Sequence, residues 1–353
     1  MASLEGALLG SGNPLLDIIS VVPTEVLEKY GIKLNDQILA EDKHLPLYEE
    51  LKRYDPTYVA GGATQNTIRV AQWMLGVPGA TTYFGSVGAD ENARLLEAAV
   101  EADGVRASYH VAPDAPTGTC ACAVVGGERS LVANLGAANG YSISHLRAPE
   151  NWAALQRAKF VYSAGFFLTA SPDSMLLAAR DCASRGVPYG LNVSAPFLVQ
   201  VPPFKKAMDD VLPFATHVFC NETEAEAFAR AEGWLPEGAD ADLPAVARRM
   251  AALPRDASRA AEAPRTVVIT QGAKATIVAV GPEESGTRLF DVTPVPADRL
   301  VDTNGAGDAF VGGFLAKTVQ GASLDDAVRA GHYAAGVIVQ RSGCSLPDTK
   351  PEL

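Results

Sequence analysis

Asp302-Thr303-Asn304-Gly305-Ala306-Gly307-Asp308 stands directly before an apolar segment of helical periodicity that carries Gly312-Gly313. Small residues at a helix start let backbone N–H groups come close to an anion. Those first N–H groups have no partner inside the helix, and the macrodipole adds about half a positive charge. Gly305, Ala306 and Gly307 are therefore expected to form an anion hole for a developing phosphoryl charge. Asp308, one step further in, is placed to accept a proton from an attacking hydroxyl. A cap is the commoner role of Asp in a first turn, and Gly-x-Gly alone is a weak signal. Two flanking Asp residues and the apolar helix behind them favour chemistry. The P-loop pattern Gly-x-x-x-x-Gly-Lys-[Ser/Thr] and the protein-kinase signatures are absent, so the phosphoryl site is of another type.

Outward from this motif, the chain closes on two long helices expected over 305–320 and 324–340, joined by Gly321-Ala322. Upstream, strands alternate with helices: strands at 160–164, 188–193, 217–220 and 267–270, helices at 172–184, 204–212 and 222–231. The N-terminal part gives a strand at 7–10, a helix over 22–30 and a helix over 67–75 after Gly61-Gly62, with Ile68, Ala71 and Leu75 inward. A strand follows at 81–87, then a helix at 91–102 with Leu95, Leu96 and Ala99 inward. Such alternation predicts an α/β fold, a mostly parallel central sheet flanked by helices. Residues 109–135 differ. They are β-rich segments broken by Pro113-Asp114, Gly126-Gly127 and Gly136, and they read as an antiparallel meander forming a small separate sheet. Stretches 235–244 and 254–264 read as surface loops.

The 353 residues suit one large domain with a smaller appendage. Net charge is -12 with no long basic run, which argues against nucleic acid and anionic membranes as partners. No apolar stretch approaches the ~18 residues needed to span a bilayer, and the start carries no secretory or transit pattern. Five cysteines without metal-type spacing read as reduced thiols of a cytoplasmic protein. Cys120 and Cys122 alternate so as to face one side of a strand, with a redox role as the minor reading.

Other polar constellations sit at strand ends, where open α/β sheets bind their ligands. Asn221-Glu222-Thr223-Glu224 follows the strand at 217–220. Glu224 can orient waters around Mg²⁺, or Asn221 and Glu224 can simply form a capping box. Gly61-Gly62-Ala63-Thr64-Gln65-Asn66 suits close backbone approach to a polyol with Asn66 beside it, or a tight turn with a cap. Asp17, after Asn13-Pro14, can accept two hydrogen bonds from a vicinal diol, or close an Asx-type turn. Arg129 can clamp a phosphate in bidentate fashion, or be a solvated strand-end residue. Phe166 can stack on a flat base or fill the core. Thr270-Gln271-Gly272 ends a strand near which nucleotide phosphates can lie, and His332 is either packed or near ATP.

These residues together resemble the ribokinase-like small-molecule kinases, the phosphofructokinase-B group, and within it the branch that phosphorylates adenosine. The matching stretches are 12–17, 35–40, 61–66, 129–135, 164–168, 192–197, 221–224 and 302–308. The last is common to the whole group; the others mark the adenosine branch. The resemblance implies adenosine and ATP as substrates, Mg²⁺, and a monomer. It implies Asp308 as base for the 5′-hydroxyl, with Asn304 near the nucleotide and Arg129 as a lid residue meeting the transferred phosphate. It implies Asp17 as ribose acceptor, with Gly62 and Asn66 beside it. Asn13, Gln37, Leu39, Cys120, Leu131, Ala133, Leu135, Phe166 and Phe197 would line the adenosine pocket. Asn221, Thr270, Gly272 and His332 would lie on the ATP side, and Glu224 would order the metal. Residues 17–60 and 113–140 would form a small β-sheet lid over a large domain of 1–16, 61–112 and 141–353. Ala63 and Gly136 depart from the group's usual residues without removing a role. A kinase for another nucleoside or a sugar, and a non-catalytic nucleoside-binding regulator, remain the alternatives.

Overall fold

The computed structural model describes residues 3–34, 36–126, 128–236, 238–259, 261–349 and 351–352. Asn35, Gly127, Glu237 and Ala260, which fall in stretches singled out above, lie outside the described residues. The chain divides into two compact units, one of Met1–Glu5, Gly12–Tyr141 and Val295–Leu353, the other of Gly6–Ser11 and Ser142–Pro294.

The second unit is a sheet with helices. Its strands are β1 (Leu8–Ser11), β9 (Phe160–Ala164), β10 (Tyr189–Asn192), β11 (His217–Asn221), β12 (Thr266–Gln271), β13 (Lys274–Val280) and β14 (Thr287–Phe290). In space they run β14-β13-β12-β11-β10-β9-β1. Pairings from β1 through β12 are parallel, and β12-β13-β14 is antiparallel. Apolar residues fill β9 to β12 because helices cover both faces of a parallel sheet. The expected helices are present at Pro172–Ser184, Pro202–Val211 and Glu222–Ala231. The stretch 254–264 is not simply surface: Arg259 is fully buried and donates to the Phe214 and Val187 carbonyls.

The first unit holds a five-stranded sheet, in the order β3-β8-β7-β2-β4, of β2 (Leu15–Val21), β3 (Gln37–Leu39), β4 (Thr57–Gly61), β7 (Thr119–Val125) and β8 (Glu128–Asn134). It also holds the parallel pair β5 (Thr81–Val87) and β6 (Arg106–Val111). Residues 109–111 thus belong to β6, not to the meander. Only β7 and β8 form the expected antiparallel hairpin. Leu15–Val21 is a strand rather than a turn after the first strand; its apolar residues 16 and 18 face one side and Asp17 the other.

One face of the small sheet is sealed. Ile18, Ala121, Ala123 and Val132 pack on Val26, Leu27, Tyr30, Leu47, Tyr48 and Leu51 from the helices Thr24–Tyr30 and Leu45–Leu51. The helices Ala63–Leu75, Ala306–Val319 and Leu324–Ile338 pack on one another in the same unit. In Glu91–Ala102 the inward residues are Leu96 and Val100, while Leu95 faces solvent. Position 95 lies 100° from position 96 around the helix, and here it falls outside the narrow face that Leu96 and Val100 bury. No helix among the described residues is long and apolar enough to cross a membrane.

Candidate active site

The strand register gathers one set of expected residues. Asp17 on β2 pairs with Cys120 on β7, Cys120 with Ala133 on β8, and Ala133 with Leu39 on β3. Cys122 pairs with Leu131, which pairs with Gln37, and Val124 pairs with Arg129. Directly paired residues share a face. Asp17, Gln37, Leu39, Cys120, Leu131, Ala133 and Arg129 therefore all project from the face opposite the sealed one. Leu15, Ile19, Cys120, Cys122 and Leu135 form an apolar cluster there, with Leu131 and Ala133 packed against it. Asp17, Cys120 and Cys122 bring three possible metal-ligand atoms within 4.8 Å of one another. The Arg129 guanidinium, whose charge acts on both Asp17 and Cys122, opposes a cation at that point.

Asp17 is buried, and its seat is shaped by glycine. A Cβ on Gly61 would stand 2.3 Å from either carboxylate oxygen of Asp17. Gly62 follows at φ +96° and opens the helix Ala63–Leu75, and a Cβ there would meet the Asn13 carbonyl oxygen at 2.2 Å. Desolvation raises the Asp17 pKa to about 7; the positive charges of Arg129 and Arg69 pull it down, and Asp308 and Asp302 push it up.

Asp308 lies in the first turn of Ala306–Val319, behind Gly305 in the left-handed conformation at φ +76°. Gly307 is exposed, with open space where a Cβ would stand. The Asn66 Nδ2 amide donates to Asp308 Oδ2 at 3.1 Å, while the buried Asn66 Oδ1 has no hydrogen-bond partner among the described residues. Asp308 is half-buried; protein crowding its carboxyl raises its pKa to about 7, and the Asn66 hydrogen bond opposes the rise. Such a carboxyl is poised between base and acid near neutral pH.

Arg129 is not a solvated strand end. Its Nε lies 2.8 Å from Asp302 Oδ1 in a pair almost wholly withdrawn from water. Asp302 Oδ1 also accepts the Asn304 N–H at 3.0 Å, and Oδ2 the Gly343 N–H at 2.7 Å. Arg129 Nη2 donates to Ser342 Oγ at 3.1 Å, and buried Nη1 has no partner among the described residues. Asp302 is thus a hub joining β8, the anion loop and the turn at 342–343. Sequence reading placed it only as a flank of the motif. Arg69, also missed, is buried in Ala63–Leu75; its Nε bonds Asp103, and its Nη1 donates to the Ala60 and Cys344 carbonyls. Its long-range partners left no local signal. His332 packs its ring 5.5 Å from Phe310, and desolvation lowers its pKa.

The remaining expected residues lie in the second unit. Phe166 and Phe197 follow the adjacent strands β9 and β10, with ring centroids 6.2 Å apart and tilted by 42°. Thr270 is in β12, and Gly272 turns out of it at φ +57°. Asn221 and Glu224 make the reciprocal capping box: the Asn221 N–H and Nδ2 donate to Glu224 at 3.0 and 2.9 Å, and the Glu224 N–H to Asn221 Oδ1 at 2.8 Å. A carboxylate offers about four lone-pair sites, so capping a helix and accepting a metal-bound water are compatible roles for a glutamate such as Glu224. That donor chemistry fits Mg²⁺, which takes few protein ligands.

Residues 24–351 match the family model described as pfkB family carbohydrate kinase. The chain belongs to the pfkB family. Among its relatives, adenosine kinase 1 of Arabidopsis thaliana is 49% identical over 99% of this chain and 98% of that protein. Adenosine kinase of Dictyostelium discoideum is 40% identical over 98% of each. Among solved structures, Anopheles gambiae adenosine kinase in complex with P1,P4-di(adenosine-5) tetraphosphate is 43% identical and superposes with a TM-score of 0.93 over 99% of both chains. Schistosoma mansoni adenosine kinase in complex with 2-fluoroadenosine is 34% identical, with a TM-score of 0.91 over 98% of both. The pfkB fold, α/β with mixed sheets flanked by helices, is the one anticipated from βα alternation.

Proposed function

We propose that this pfkB member is an adenosine kinase, transferring the γ-phosphoryl group of ATP to the 5′-hydroxyl of adenosine to give AMP and ADP. The observation that carries the reading is the Asp308 carboxyl, half-buried beside open Gly307 and hydrogen-bonded to Asn66. Full-length similarity to adenosine kinases supports the choice of acceptor.

In this reading Asp308 accepts the 5′-hydroxyl proton as the oxygen attacks phosphorus roughly in line. The N–H groups at 305–307 and the uncommitted Nη1 of Arg129 receive the phosphoryl oxygens. Asp17 accepts the ribose diol, with Asn13, Gly62 and Asn66 around the sugar. Nucleoside contacts are assigned to Gln37, Leu39, Cys120, Leu131, Ala133 and Leu135 in the first unit, and to Phe166 and Phe197 in the second. Asn221, Thr270, Gly272, Asn304 and His332 serve the ATP side. Mg²⁺ supplied with ATP neutralises phosphate charge when bound, and Glu224 is the residue that would hold it through water. The small sheet acts as a lid whose site-bearing face excludes water from the transfer.

The test is a γ-labelled ATP assay over adenosine, inosine, guanosine and ribose. Label is expected in AMP from adenosine. Preferential labelling of ribose, or ATP consumption with no labelled acceptor, sinks the proposal.

A further inference from the structure

Ser194 carries a backbone conformation that its side chain does not favour. Its φ is +70°, one of two positive values among the described non-glycine residues. The Ala195 N–H bonds the Val193 carbonyl at 2.9 Å, so Ser194 is the centre of a three-residue turn. Turns of this kind with positive φ are rare and strained. Strain of this sort persists only where surrounding contacts over-determine it, and it clusters at functional sites.

The contacts that hold it are specific. Ser194 Oγ accepts the Gly165 N–H at 2.9 Å and donates to the Asn192 carbonyl at 3.3 Å, while Asn192 Oδ1 accepts the Ser194 N–H at 3.0 Å. Gly165 directly follows β9 and Asn192 ends β10; these strands are parallel neighbours, with Ala164 opposite Asn192. The hydroxyl therefore pins the turn after one strand to the turn after the next, at the carboxyl edge where such sheets bind ligands. The approach is close: a Cβ on Gly165 would lie 2.7 Å from the Asn192 carbonyl oxygen and 2.8 Å from that of Val193. The residue after Gly165 is Phe166, and three residues after Ser194 comes Phe197.

We infer that Ser194 is a positioning residue that sets the angle between Phe166 and Phe197, and through it the preference for a flat purine base. At 42° of tilt the two rings are not a parallel slot. They are two walls, one able to stack on a base and the other to meet its edge. A change in either turn opens or closes that angle. Sugar and phosphate recognition, which rest on other residues, are left alone. The inference rests on the nucleoside reading proposed above.

The experiment compares the full chain with Ser194→Ala and Ser194→Gly. Glycine adopts the left-handed turn freely and removes only the hydroxyl; alanine removes the hydroxyl and keeps the strain. Quenching of 2-aminopurine riboside fluorescence reports stacking directly, and steady-state assays separate KM from kcat. Ser194→Gly is expected to raise the adenosine KM about tenfold, the effect of one hydrogen bond of ordinary strength, with kcat and the ATP KM little changed and quenching reduced. Ser194→Ala is expected to lose more; should it fail to fold, the glycine variant decides alone. Unchanged quenching and adenosine KM in a folded variant overturn the inference, as does an equal loss in kcat and in both KM values, which marks a merely structural residue. Wild-type protein that neither quenches the probe nor phosphorylates adenosine overturns the nucleoside reading, and the inference with it.

Discussion

Replacing Asp302 by Asn tests whether the hub beneath the anion loop is as important as its geometry implies. The carboxylate receives three donors on two oxygens: Arg129 Nε and the Asn304 N–H on Oδ1, and the Gly343 N–H on Oδ2. An amide is nearly the same size, but only one of its two ends accepts. If its oxygen keeps the Oδ1 position, its NH₂ faces the Gly343 N–H, donor against donor. One charge-assisted hydrogen bond is then lost, worth about 1.5–3 kcal/mol. The Arg129 guanidinium also remains buried without its counter-charge; breaking such a pair costs about 3–5 kcal/mol, a figure that already includes part of the lost hydrogen bond. Asp17, whose charge already couples to Arg129, supplies some compensation. The expected destabilisation is therefore about 3 kcal/mol, at the low end of that range. Urea unfolding followed by circular dichroism measures it. Adding Arg129→Met removes the stranded charge, so the double variant should recover part of the loss, because an apolar pair can replace a buried ion pair at little cost. A single variant within about 0.5 kcal/mol of wild type, the scatter of ordinary surface changes, refutes the hub. So does a double variant whose loss is the sum of the two single losses.

Asp308→Asn should lower kcat by about 10²–10⁴, the usual contribution of a general base, while adenosine binding by calorimetry persists; near-full turnover would remove Asp308 from the chemistry. With its pKa raised to about 7, Asp308 is protonated on the acid side, so kcat/KM should fall below neutral pH, and a flat pH–rate profile from pH 5.5 to 8 would contradict its desolvated setting. Gly61→Ala should abolish ribose recognition with much less effect on the fold, since its Cβ would occupy the space of the Asp17 oxygens; equal adenosine affinity in wild type and variant would show that Asp17 has another seat. Asp17→Asn should weaken adenosine binding yet stabilise the ligand-free protein at pH 8. The folded carboxyl holds its proton up to about 7 and the unfolded one only to about 4, so wild-type stability falls as pH rises between those values, and thermal melts at pH 5 and 8 should diverge less in the variant.

What could be read from the sequence was what local chemistry demands. Gly61, Gly62 and Gly305 are each needed where they stand, for close approach or left-handed backbone, and each announces a turn beside a functional residue. The βα alternation was legible because every strand of the parallel region is apolar on both faces. The small sheet was harder. Its strand β2 begins at Leu15, directly after a Gly-Asn-Pro turn signal, and its Asp17 carries the polarity of a loop; only the site-bearing face explains an acid in mid-strand. Arg129 stayed ambiguous because nothing near it in the chain is its partner. Asp302 lies on the far side of the sequence, and the pair exists only once β8 and the anion loop fold together in one unit. The two carboxyls that the proposed reaction needs share one setting: desolvation raises both Asp17, which is buried, and Asp308, which is half-buried, to about 7, and the charge of Asp308 adds to the rise at Asp17. A ligand-free fold with two such acids carries an electrostatic cost near neutral pH. Hydrogen bonds from a ribose diol to Asp17 would relieve part of it, so nucleoside binding should lower the pH at which Asp17 titrates. A proton release on binding, measured as buffer-dependent enthalpy between pH 6.5 and 7.5, is the expected sign. Proton uptake on binding would show that the diol is held by some other group.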